Sequence, residues 1–133
     1  MCIRDSWVTG QSVVYRVNDE VAIWNYSTPQ NNWANLVITR NGNTAKFYAN
    51  GSEQTLANSP SLGTVYTTKL DTIGNKPNGS NGFVGKIDEF AVWNTALTAS
   101  QVSEIFSATS ANKTKDLSTV SGSNLKLWLR MGD

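Results

Sequence analysis

Two period-two runs flank an Asn-Gly dipeptide near the middle of the chain, and that pattern leaves few folds open. In residues 33–40, Ala34, Leu36 and Ile38 fall on one side and Trp33 and Val37 on the other. In residues 44–50, Ala45, Phe47 and Ala49 fall opposite Thr44, Lys46 and Tyr48. Successive side chains of a strand point to opposite faces, so a two-residue period builds a consistent face along an extended segment. Asn41-Gly42 tolerates the positive φ of a tight hairpin turn. A β-hairpin over residues 33–50 is therefore predicted. An isolated hairpin is marginal in water, so this one must belong to a larger sheet with a core.

Much of the remaining chain follows the same rule. Val13, Val14, Tyr15 and Val17 form a β-branched and aromatic run ended by Asn18-Asp19. Residues 20–26 alternate, with Val21, Ile23 and Asn25 on one face and Ala22, Trp24 and Tyr26 on the other. Residues 53–57 read as a short strand, 65–73 as a strand interrupted by polar residues, and 83–93 as a long strand. Residues 27–32, 58–64 and 74–82 carry Pro, Gly or Asn and read as loops. One helix is expected from Ala99 to about Ser107. Thr98 and Gln101 have capping-box spacing, Leu97 and Val102 fit a hydrophobic staple, and Val102, Ile105 and Phe106 share a face. Apolar residues make up 39% and charged residues 16% of the 133 residues, and Asn, Ser, Thr and Gly fill the difference. Those residues favour turns and strand faces over helices. The expected fold is all-β, an antiparallel two-sheet jelly-roll sandwich with one short helix.

The charge and the missing residue types narrow the function. The net charge is +1 with no Lys/Arg cluster, so nucleic acid is not an expected partner. No apolar run reaches the length of a membrane span, so membrane insertion is not expected either. The chain has one cysteine, Cys2, and no histidine. That removes an internal disulfide framework, a cysteine-based zinc site and the Ser-His-Asp and Cys-His modes of catalysis.

The order of motifs is informative beyond each piece. Trp33-Ala34-Asn35-Leu36-Val37-Ile38-Thr39-Arg40 precedes Asn41-Gly42, and Lys46-Phe47-Tyr48-Ala49-Asn50-Gly51 follows. Ile73-Gly74 comes next, then Gly82-Phe83-Val84-Gly85-Lys86-Ile87-Asp88-Glu89-Phe90-Ala91-Val92-Trp93-Asn94 and Ala96-Leu97-Thr98. This sequence of elements resembles the laminin-G-like domains of the concanavalin A-like lectin/glucanase superfamily, over roughly residues 13–106. The resemblance implies a domain over residues 7–108, truncated at both ends. Residues 1–6 read as a non-native leader, with an ordinary edge strand over 3–9 as the alternative. Residues 109–133 read as a linker and the start of a following strand or unit. The resemblance also places Trp33 and Trp93 at scaffold positions.

Binding residues are expected on loops at the sandwich rim, at 27–32, 58–63 and 74–82. Trp24 and Tyr26, at a strand end beside the first loop, have rings that stack on sugar faces, or else pack in the core. With Asn31, Asn32, Asn78 and Asn81 they form the candidate ligand set. The family resemblance also implies a rim calcium ion, for which Asp71, Asn75, Asn78 and Asn81 are the most oxygen-rich set. The favoured reading of those four is a solvated Asn/Gly loop, and EF-hand spacing is absent. Asp88 and Glu89 are adjacent, so on a strand they would face opposite ways. They cannot form the paired carboxylates of a glycosidase, and Asp88 reads as an acceptor for loop N–H groups.

The expected function is a non-catalytic carbohydrate-binding or adhesion module of an extracellular, cell-surface or virion protein. Its partner would be a glycan or protein surface, and tandem units are expected in the parent chain. The alternative is a structural or protein-interaction spacer of a phage fibre or bacterial surface protein, whose mark would be rim loops lacking an exposed aromatic.

Overall fold

The predicted hairpin is present, and it is buried on both faces. The computed structural model describes residues 4–9, 12–17, 20–58, 62–63, 73–74, 82–108 and 116–130. In it β4 (Leu36–Asn41) pairs antiparallel with β5 (Thr44–Ala49), with Val37 opposite Tyr48 and Ile38 opposite Phe47. The turn falls one residue later than the Asn-Gly dipeptide suggests. Asn41 closes the ladder against Thr44, and Gly42 takes the first loop position at φ 56°, where a II′-type turn needs glycine. The strand starts at Leu36, which leaves Trp33 outside the ladder. β6 (Ser52–Glu53) extends this sheet on the far side of β5.

The second sheet is a meander of β1 (Arg4–Thr9), β2 (Ser12–Val17) and β3 (Glu20–Asn25). Ala22 and Trp24 of β3 point inward with Val13 and Tyr15 of β2, as their alternation requires. They meet Ile38, Ala45, Phe47 and Ala49 of the hairpin sheet, and Leu62 plugs the same core at 0% exposure. The Trp24 and Phe47 rings lie 5.7 Å apart, tilted by 50°. Residues 52–58 then cross from one sheet to the other. The amide of Gln54 donates to the Phe47 carbonyl at 2.8 Å, Leu56 bridges Trp24, and the amide of Ala57 donates to the Ile23 carbonyl at 2.7 Å.

A second core covers the other face of the hairpin. Val37 and Tyr48 pack with Trp93, Leu97, Val102, Ile105, Leu117 and Val120. The elements that bring these residues are β7 (Phe90–Trp93), α1 (Ala99–Ala108), a 3-10 turn at Leu117–Thr119 and β8 (Leu125–Leu129). Both halves of the capping box form. The Thr98 amide donates to Gln101 Oε1 at 2.9 Å, and the Gln101 amide donates to Thr98 Oγ1 at 3.3 Å. The staple partners Leu97 and Val102 are 6% and 0% exposed. Phe106, though 38% exposed, lies against Gly51 at the end of the hairpin.

The structure differs from expectation in three places. Residues 83–89 are not strand, because Glu89 sits at φ 52° and the Glu89 amide is taken by Asp88 Oδ1 at 2.8 Å. A left-handed residue ends an extended run. From Arg4 onward the residues of the expected leader pair as an edge strand, Arg4 with Arg16 and Trp7 with Val14. The largest difference concerns residues 109–133. Within them, β8 pairs with β7, and Leu117 and Val120 are buried at 4% and 1%. Residues 116–130 thus pack into this domain's own second core. The strand expected at 65–72 lies outside the described residues. The fold is an all-β antiparallel sandwich, with one α-helix among the described residues, and no helix among them is long and apolar enough to cross a membrane.

Candidate functional site

The connection between β3 and β4, residues 26–35, joins the two sheets at one rim. Its first foot is set by the core. Tyr26 continues the inward face of β3 and packs edge-on against Phe47, centroids 5.4 Å apart at 72°. Beside it an open depression of about 520 Å³ is walled by Ser12, Asn25, Tyr26 and Ser27. Ser12 and Asn25 are cross-strand partners, so the ladder itself sets two of these walls.

The second foot is held by reciprocal bonds. The Asn35 amide donates to Asn50 Oδ1 at 2.9 Å, and the Asn50 amide donates to the Asn35 carbonyl at 2.8 Å. Asn50 sits at φ 49°, which asparagine tolerates better than most residues. Its side-chain carbonyl therefore closes the hairpin end.

Between the feet the loop is polar and open. Asn31 adopts φ 60°, and Asn32 Nδ2 donates to the Gln30 carbonyl at 3.2 Å. Ser27, Pro29, Gln30, Asn31 and Asn32 are all exposed. Trp33 is 67% exposed. An indole left in water forgoes the burial that usually holds a tryptophan inside.

The structure thus divides the expected ligand residues. Tyr26, Asn31 and Asn32 lie on one connection, and Tyr26 also lines the depression. Trp24 is 1% exposed beneath them and is a core residue, with no ring face left for a ligand. Trp33, expected at a scaffold position, is exposed instead, while Trp93 is buried at 6% as expected. Its indole N–H donates to the Val120 carbonyl at 2.8 Å. Only the strand boundary separates the two tryptophans, and it falls three residues after Trp33. Asp71, Asn75, Asn78 and Asn81 lie outside the described residues. Among the described residues no group of three or more Cys, Asp or Glu side chains is gathered to hold a metal.

The two adjacent carboxylates are engaged internally. Asp88 accepts from the neighbouring amide, as its expected acceptor role requires. Glu89 Oε2 accepts from the Trp128 indole N–H at 2.5 Å, and Arg130 Nε approaches Glu89 Oε1 at 3.6 Å. The Arg130 guanidinium lies 5.4 Å from the Trp128 ring centroid. These contacts tie residue 89 to β8.

A laminin-G-type family model, described as concanavalin A-like lectin/glucanases superfamily, matches residues 6–103. A similar solved structure is that of an S-layer domain-containing protein (residues 221–444) from Clostridium thermocellum ATCC 27405, with a TM-score of 0.52 and 17% identity. The alignment covers 74% of this chain and 58% of that one, so the chain spans little more than half of its neighbour, and the likeness is one of fold. No curated protein sequence matches. The matched span, together with the antiparallel sandwich that fills it, shows that the chain belongs to the laminin-G-like family of the concanavalin A-like lectin/glucanase superfamily.

Proposed function

We propose that the chain is a non-catalytic carbohydrate-binding module of a larger extracellular, cell-surface or virion protein, and that the 26–35 rim is its binding surface. The observation that carries this reading is Trp33, 67% exposed on a loop of amides and hydroxyls. An indole face takes up the C–H face of a sugar ring, and amide and hydroxyl groups exchange hydrogen bonds with its hydroxyls. The depression beside Tyr26 offers a second place for a hydroxyl-bearing group. A rigid sandwich carrying a variable rim is the usual design for such sites. The fold likeness to an S-layer domain-containing protein agrees with a surface placement. Single-site affinity is expected to be weak, so tandem copies in the parent chain would add avidity.

Trp33 is the feature that a spacer would lack. The observation favouring a protein-interaction role is different: Phe83 and Val84 are 57% and 99% exposed on the segment leading to β7. Trp33→Ala separates the two readings. On a glycan that the wild-type chain binds, the variant is expected to lose about tenfold in affinity, about 1.4 kcal/mol, with an unchanged melting temperature. Unchanged glycan affinity in a folded variant removes the proposal.

A further inference from the structure

The same rim carries no charge. Between Glu20 and Arg40 the sequence contains no Asp, Glu, Lys or Arg. The neighbours set beside its two feet are uncharged as well: Asn25 pairs with Ser12, Leu36 with Ala49, and Asn35 with Asn50.

The flanking charges among the described residues are remote or engaged. Glu20 opens β3 at the end away from Asn25, and Arg40 lies toward the far end of β4 from Leu36. At ~3.3 Å per strand residue they stand ~17 Å and ~13 Å from the rim, beyond the ~8 Å screening length of physiological salt. Both are also engaged where they stand. Glu20 accepts from the Gly63 amide, and Arg40 donates to the Gly42, Leu62 and Gly63 carbonyls. Lys46 and Glu53, nearer to Asn50, pair with each other at 3.0 Å.

A carboxylate or sulfate docking on this surface would shed water, and no cation among the described residues stands at the rim to replace it. A sugar hydroxyl exchanges water for an amide at little cost, and an apolar sugar face gains the Trp33 ring. Resting on the binding function proposed above, we infer that the rim is selective for neutral glycans and rejects sialylated, sulfated and uronic-acid sugars. Recognition is then insensitive to ionic strength, because no ion pair forms.

The test is a titration of the chain and of Trp33→Ala against gluco-, manno- and galacto-oligosaccharides and against matched sialylated, sulfated and uronic-acid oligosaccharides. It is run at about 50 mM and about 500 mM salt, which brackets the screening range. Binding confined to the neutral set, moving less than about twofold with salt and lost about tenfold in Trp33→Ala, is the expected result. A preference for acidic sugars, or affinity that falls steeply with salt, overturns neutral selectivity while a loss in Trp33→Ala still leaves the indole as the platform. Binding to none of the sugars, or binding that Trp33→Ala leaves intact, overturns the platform and the selectivity with it. Because Trp33 lies outside both cores, the variant retains the fold, and Trp33→Phe, which keeps a ring, is expected to recover part of the affinity.

Discussion

Asn58 closes the outer edge of β3 with a single side chain. Its Oδ1 accepts from the Ile23 amide at 2.8 Å and its Nδ2 donates to the Val21 carbonyl at 2.6 Å, so the amide group imitates one residue of a neighbouring strand. Open strand edges recruit other chains, and proteins cover them. Asn58→Ala leaves both backbone groups unpaired in a partly buried place, at about 1–3 kcal/mol. A lower urea midpoint, with concentration-dependent association in sedimentation, is expected, and an unchanged midpoint would show that water replaces the side chain fully. Tyr48 makes a different prediction at the same scale. Burial in the second core pushes its phenol pKa upward, and the negative charge of Glu53 pushes it the same way. A raised folded pKa means the native state holds the proton longer than the unfolded chain. The stability it contributes is complete below the unfolded value near 10.0 and is lost as pH rises through the folded one. Lys46, raised by its hydrogen bond to Glu53, acts in the same direction above 10.5 but is exposed, so solvent screens it. Melting temperatures should fall as pH passes 10, and Tyr48→Phe should flatten most of that fall. An equally steep fall in the variant would assign the effect elsewhere.

At the scale of elements, the hairpin and the helix meet where Phe106 of α1 rests on Gly51. A Cβ at Gly51 would stand 3.0 Å from Phe106 Cδ1 and 3.2 Å from its Cβ, and φ there is +77°. Gly51→Ala therefore adds both strain and overlap, about 1–3 kcal/mol. Part of that cost should vanish in a Phe106→Ala background, a coupling that a double-mutant cycle of urea midpoints reads directly. Additive costs would place all the strain in the backbone. These two elements were also the most legible in the sequence, because their signals are local: a capping box spans four residues, and alternation needs no partner. The inward faces of Ala22, Trp24, Phe47 and Ala49 follow from alternation alone. What escaped was set by residues far apart. Trp33 and the first strand residue are indistinguishable by period, and only the pairing of Leu36 with Ala49 decides where β4 begins. Residues 83–89 alternate convincingly, yet Glu89 takes a left-handed φ beside the indole of Trp128, thirty-nine positions away. The first of these decides which indole is exposed: Trp33 lies outside the ladder at 67%, and Trp24 takes the core alternative at 1%.

For the whole molecule, the question is where the domain ends. Residues 109–123 are polar and rich in Ser, Thr and Lys, and nothing local in them announces a core segment. Their environment does. Asp116 caps the 3-10 turn by accepting from the Ser118 amide at 3.0 Å, which aims Leu117 inward, and Val120 follows at 1% exposure. Leu125 and Trp128 pack on the same cluster, and β8 is the ladder partner of β7. Deleting residues 109–133 removes the buried Leu117 and Val120, each worth about 1.5–3 kcal/mol, together with the partly buried Leu125 and Trp128. It also orphans the Trp93 indole N–H and leaves the four residues of β7 without their partner. The two buried side chains alone sum to about 3–6 kcal/mol, a large part of the whole stability of an ordinary domain, about 5–15 kcal/mol. A chain ending at Ala108 is therefore expected to show no cooperative urea transition and no near-ultraviolet tryptophan dichroism, whereas one ending at Arg130 keeps both. The single change Leu117→Ala should lower stability by about 2–4 kcal/mol, a graded version of the same loss. If the shorter chain unfolded cooperatively at the parent's midpoint, the C-terminal part of the second core would be dispensable. Trp93, Leu97, Val102 and Ile105 would then cover Val37 and Tyr48 by themselves.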